Sequence, residues 1–119
     1  MKLIAHAKIQ GECPSPSIKV HGKRDVVRAY EIKVQQATPK KVRSEMEKHY
    51  RLRIDFYLKP PRLQLSDLDN MAKTIMDGIF GKFGESGTKP VDRFVWQLEL
   101  NKFESEKKSF TEFWLFELT

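Results

Sequence analysis

The sequence predicts an α+β domain: a small mixed β-sheet with helices packed on one face, its elements running β-α-β-α-β-β. Three observations predict it. Two stretches alternate apolar and polar residues with the period of a half-buried strand, Leu3 to Ile9 and Tyr50 to Leu58. Two others carry apolar residues at helical steps, Val27, Tyr30, Val34 and Ala37, then Leu68, Met71, Ala72, Ile75, Met76 and Ile79. The last part of the chain adds two strand-like runs, Phe94 to Phe103 and Phe110 to Leu118. Strands mixed with helices in this proportion form a sheet that buries one face under a helical layer.

Taken in order, Leu3, Ala5, Ala7 and Ile9 give the first strand its buried face, against Ile4, His6 and Lys8. Gly11 to Pro16 breaks the pattern into a loop. Arg24 to Ala37 is an amphipathic helix with Arg24, Arg28 and Lys33 on its wetter side. Thr38-Pro39 reads as an N-cap followed by proline at the first helical position, so Lys40 to His49 is a short basic helix held by Val42 and Met46. In the strand from Tyr50 to Leu58, Leu52, Ile54, Phe56 and Leu58 face one way and Arg51, Arg53, Asp55 and Tyr57 the other. Pro60-Pro61 ends it, an extended stretch follows, and the second helix stops at Gly81. A glycine-rich loop leads to the last two strands, which are close enough in sequence to form a hairpin.

Composition bounds the function. A chain of 119 residues is expected to form one domain, residues 1–119. No apolar run reaches the roughly 18–20 residues of a membrane span, and the start lacks the apolar stretch of a secretory signal. The single cysteine, Cys13, allows no intrachain disulfide and no cysteine-based zinc site. An intracellular, cytoplasmic protein is the expectation. Net charge is +6, but residues 1–66 hold 15 basic against 6 acidic side chains, and residues 67–119 hold 7 against 10. A basic first half suits a polyanionic partner, nucleic acid first, although surplus lysines also serve solubility alone.

The acidic second half has its own centre. In Ser66-Asp67-Leu68-Asp69-Asn70-Met71-Ala72-Lys73-Thr74-Ile75-Met76-Asp77, four polar residues crowd the start of a helix whose other face is apolar. Residues two apart on a helix diverge by about 200°, so Asp67 and Asp69 converge only if Asp67 is extended, just before the first turn. With a third carboxylate they make a hard oxygen pocket for Mg²⁺ or Mn²⁺, and Asp92, at the entrance to a strand, is placed to supply it. The competing reading is structural: aspartates cap helices and favour the positive end of the dipole, and Asp69, Lys73 and Asp77 form an i, i+4, i+8 ladder. Met71 and Ala72 exclude a calcium EF-hand loop. The preceding Pro-Pro-Arg-Leu-Gln-Leu-Ser is the wrong setting for an Asp-x-Asp phosphatase.

The pattern Asp67-x-Asp69-Asn70-x-x-Lys73-x-x-x-Asp77, followed by Asp92 entering a strand, resembles the RusA family of Holliday junction resolvases. The upstream order of strand, Pro-containing loop, helix and strand is similar too. The resemblance implies a RusA-like fold and a homodimeric, Mg²⁺-dependent endonuclease that nicks opposed strands of a four-way DNA junction. By that likeness Asp67, Asp69 and Asp92 hold the metal, Lys73 is essential beside them, and Asp77 orients Lys73. One departure is Lys89-Pro90-Val91-Asp92, where the family often has an acidic pair after a tryptophan.

Phosphate contacts then fall to the basic half, with Arg62 first and Arg24, Arg28, Lys40, Lys41, Arg51 and Arg53 behind it. Asn70 either orients a carboxylate or is an ordinary first-turn residue. His6, His21 and His49 lack ligand spacing, Cys13 has no evident base, and Trp96 and Trp114 are expected in the core. Two other functions stay open: a metal nuclease acting on flaps or forks, and a non-catalytic nucleic-acid-binding dimer.

Overall fold

In the computed structural model, residues 1–15, 23–44, 48–81 and 94–118 are described, the side chains of Lys23 and Arg24 excepted. The elements are β1 (Lys2–Gln10), α1 (Lys23–Gln36), α2 (Lys41–Ser44), β2 (His49–Leu58), α3 (Arg62–Leu65), α4 (Leu68–Phe80), β3 (Val95–Glu104) and β4 (Phe110–Leu118). This is an α+β architecture with a four-stranded mixed sheet in the order β1-β4-β2-β3. Among the described residues, no helix is long and apolar enough to cross a membrane.

β2 sits at the centre of the sheet because its alternation is the cleanest in the chain. Tyr50, Leu52, Ile54, Phe56 and Leu58 are all sealed beneath the helices. β2 runs antiparallel to β4 and parallel to β3. The expected hairpin between the last two strands therefore does not form. The segment 105–109 crosses the end of β2 instead, and the Ser105 amide donates to the Leu58 carbonyl at 2.9 Å. A strand with so apolar a face gains from neighbours on both sides, whereas β3 leaves Leu98 at 45% exposure and suits an edge.

α4 lays Met71, Ile75 and Ile79 onto this face, each fully buried and worth about 1.5–3 kcal/mol. α1 packs beside it through Val27, Tyr30 and Val34. The two helices touch where Gly78 leaves no side chain: a Cβ there would meet the Cβ of Val34 at 2.6 Å and the Glu31 carbonyl at 2.9 Å. α4 ends as expected at Gly81, which adopts φ 83° and donates its amide to the Asp77 carbonyl. The loop after β1 is pinned to α4, with Thr74 Oγ1 donating to the Pro14 carbonyl at 2.8 Å and the Cys13 thiol to Met71.

Several local expectations are corrected. A register shift between Leu3 and Ala5 turns Leu3 outward to 50% exposure and lets Ile4 pack on the core. Ala37 lies beyond the end of α1 and is exposed. Thr38 does not cap the next helix; its hydroxyl donates back to the Val34 carbonyl at 2.8 Å, closing α1. α2 spans only Lys41–Ser44, with Val42 buried as expected, while Met46 lies outside the described residues. The stretch after Pro61 is the short helix α3, not extended chain. Trp96 and Trp114 are not in the core: both stand on the sheet face that the helices leave open, Trp96 at 66% exposure.

Candidate functional site

The start of α4 has the backbone geometry on which the sequence reading depended. Asp67 is extended (φ −95°, ψ 118°) and is the N-cap, and Asp69 occupies the first helical turn. Asp67 Oδ1 accepts from the Asp69 amide at 3.0 Å, and its Oδ2 accepts from Asn70 Nδ2 at 3.4 Å. Asp67 and Asp69 are exposed, as is Lys73 one turn further on; Asp77 is half-buried. The helix thus turns a wholly buried face to the sheet and a band of carboxylate, amide and ammonium groups to solvent.

Asp67 serves the helix as a cap, so the structural reading accounts for its position. The cap uses one lone pair of Oδ1 and fixes the direction of the carboxylate. The donor set of Asp67 and Asp69, hard oxygens at the surface, fits a small divalent cation in chemistry and is one carboxylate short of the expected three. Asp92, the expected third, lies outside the described residues. Among the described residues, no three histidine, cysteine, aspartate or glutamate side chains gather at one point.

The expected cationic residues separate into two groups. Arg62, in α3 directly before the acidic segment, is paired through Nε with Glu12 at 2.8 Å. It lines an open groove of about 670 Å³ with Lys59, Lys108 and Ser109, between the start of α3 and the segment before β4. Lys59 and Lys108 were not singled out in the sequence because nothing local links positions so far apart. Lys40 and Lys41 are exposed, Arg28 lies 3.7 Å from Glu31, and the Arg24 side chain is outside the described residues.

Arg51 and Arg53 belong elsewhere. Both project from the open face of the sheet, away from α4, and both are engaged by carboxylates. Arg51 lies 3.4 Å from Glu99, and Arg53 makes a two-point contact with Asp55 at 3.2 and 3.0 Å. Asn101 donates to both Asp55 and Glu99, completing a network across β2 and β3. The hydrogen bond to Asp55 raises the Arg53 pKa above its ordinary value. Arg53 also lies over the Trp114 ring, and Trp114 stacks on His6, which bonds Glu112 at 2.6 Å. Sequence reasoning missed this network because its partners come from all four strands.

Cys13 is sealed in the core, and burial pushes its thiol far above the ordinary range, which suits a neutral packing group. No protein-family model matches the chain, and no curated protein is significantly similar to it.

Proposed function

We propose that this protein is a Mg²⁺-dependent endodeoxyribonuclease selective for branched DNA, four-way junctions first, and that it works as a RusA-like homodimer. The observation that supports this reading is the start of α4, where the extended Asp67, the first-turn Asp69 and the exposed Lys73 share one solvent-facing edge. Capping requires only one of these acidic groups.

Asp67, Asp69 and, by the family resemblance, Asp92 would hold the ion. A divalent cation bound there supplies charge neutralisation at the scissile phosphate and lowers the pKa of water. Asn70 and the Asp69 amide keep the Asp67 carboxylate in one orientation, so little reorganisation is needed when substrate arrives. Lys73 brings a positive charge toward the phosphate oxygens. Arg62, with Lys59 and Lys108 along the adjoining groove, offers contacts to the backbone without reading bases. A two-fold dimer presents two such edges, matching the approximate two-fold symmetry of a four-way junction.

The test is cleavage of end-labelled four-way junctions beside forked, flapped and linear DNA, with Mg²⁺, with EDTA, and with Asp69→Asn. Paired nicks in opposed arms, lost with EDTA and with the variant, are the expected result. Cutting confined to forks or flaps would change the substrate and keep the chemistry. Binding without cutting under either Mg²⁺ or Mn²⁺ would leave a nucleic-acid-binding dimer, the reading favoured by the bond from the Asp69 amide to Asp67.

A further inference from the structure

The start of α4 hangs from a two-residue joint. The Ser66 amide donates to the Arg62 carbonyl at 2.9 Å and closes α3, and the Asp67 carbonyl accepts from the Met71 amide at 3.1 Å and opens α4. Ser66 (φ −79°, ψ 138°) and Asp67 (φ −95°, ψ 118°) are both extended, so the Ser66 carbonyl between them belongs to neither helix. Ser66 is 8% exposed, and its hydroxyl has no partner among the described residues. The joint is tied instead from the sheet: Lys102 Nζ donates to the Ser66 carbonyl at 2.9 Å. Lys102 stands on the edge strand β3 opposite Phe56, whose ring is sealed beneath the helices, so its side chain leaves the strand on the helical side. Among the described residues it pairs with no carboxylate, which leaves a half-buried ammonium directed at one peptide oxygen.

We propose that Lys102 is a positioning residue for the Asp67 carboxylate. The bonded oxygen and the Asp67 amide lie in one peptide plane, so holding the oxygen restricts the torsions that set where Asp67 stands over the sheet. Bond lengths alone keep the ammonium within about 7 Å of the Asp67 Cα. Asp67 in turn accepts from the Asp69 amide at 3.0 Å and from Asn70 Nδ2 at 3.4 Å, so one tether orders the solvent-facing edge of the first turn. A donor without charge would satisfy a buried carbonyl. An ionised donor makes a bond roughly twice as strong, which suits a joint that must not shift as a cation is bound and released. Groups that hold a metal need placement to within about 0.5 Å, and loss of the partners that orient them lowers metal affinity or activity by about 10–100-fold. The inference rests on the nuclease reading for its cation, and the tether itself is read without cleavage.

The test compares the wild-type chain with Lys102→Met, which keeps the stem and removes the donor, and Lys102→Arg, which restores a charged donor. Without metal, amide hydrogen exchange of residues 66–71 is expected to quicken in Lys102→Met while residues 75–80 of α4 stay as in wild type. Lys102→Arg should return it toward the wild-type rate. Mn²⁺ affinity by calorimetry and kcat on four-way junctions are each expected to fall by about tenfold or more in Lys102→Met and to stay within about threefold in Lys102→Arg. Junction KM and the salt dependence of binding should hold at wild-type values, because a positioning residue touches no phosphate. Exchange unchanged at residues 66–71 or quickened throughout α4 would overturn the proposal, as would wild-type Mn²⁺ affinity and kcat in Lys102→Met. So would a slope of log affinity against log salt lowered by about 1, the mark of a phosphate contact. A wild-type chain that neither binds Mn²⁺ nor cuts would overturn the nuclease reading, and exchange then decides the tether by itself.

Discussion

Gly78 of α4 lies so close to Val34 of α1 that a methyl group on the glycine would stand 2.6 Å from the valine Cβ. The Glu31 carbonyl, 2.9 Å away on the same side, is backbone and cannot swing aside. Gly78→Ala is therefore expected to push the helices apart and cost about 1–3 kcal/mol despite alanine's better helix propensity. Urea denaturation checks this. Val34→Ala should not rescue it, since the obstructing Cβ remains.

Asp67 has two proposed duties that substitutions can separate. Asp67→Asn keeps a capping oxygen, so stability should hold within a few tenths of a kcal/mol while cleavage falls by about 100-fold or more. Asp67→Ala should lose the same activity and about 1 kcal/mol of stability as well. Thermal melts beside junction-cleavage rates distinguish them; an active Asp67→Asn enzyme would remove this residue from the proposed metal site.

The pair between Arg62 and Glu12 holds an exposed cation beside the groove that also contains Lys59 and Lys108. Arg62→Ala is expected to weaken junction binding and lower the slope of log affinity against log salt by about 1. Glu12→Gln should do the reverse in affinity, by freeing the guanidinium. Fluorescence anisotropy across a salt series measures both.

Burial of Cys13 makes a prediction about pH. Above the ordinary thiol value of 9.0 the unfolded chain releases this proton while the native chain keeps it. The unfolded state then binds fewer protons, so stability must fall as pH rises from that value, by up to about 1.4 kcal/mol per unit from this group. Tyr30, also raised mainly by burial, adds to the loss above its own ordinary value of 10.0. Denaturation of wild type and Cys13→Ala between neutral and alkaline pH isolates the thiol; equal slopes would refute its part. A thiol reagent should label Cys13 only when the chain unfolds.

Period and capping are local properties, and what depended on them was legible. The alternation from Tyr50 to Leu58, the stripe from Leu68 to Ile79, the stop at Gly81 and the extended Asp67 before a helix all appear in the structure. Long-range choices were not legible. Alternation in β4 shows that Trp114 and Phe113 face opposite ways but not which face the helices take. Adjacency in sequence suggested that β3 and β4 pair, whereas β2, more than 35 residues before β3, claims both as neighbours. Arg51 read as a free cation because Glu99 lies on another strand, and Arg53 because strand alternation puts Asp55 on its face without showing that the two pair. Of the candidate site, Asp67, Asp69 and Lys73 were found from their crowding at one helix start, and Asp92 lies outside the described residues.

The strand order also governs when the sheet can exist. β1 and β2 have no bond to each other; β4 is the strand that joins them, pairing Ile9 with Thr111 and Phe56 with the same Thr111 from the other side. A nascent chain that has emerged only through Ser109 holds β1 and β2 without the strand between them. Closure of the sheet must then wait for β4 to emerge, and loop entropy across some hundred residues is settled in that one step. Completion of this sheet is accordingly expected only once β4 is available to pair.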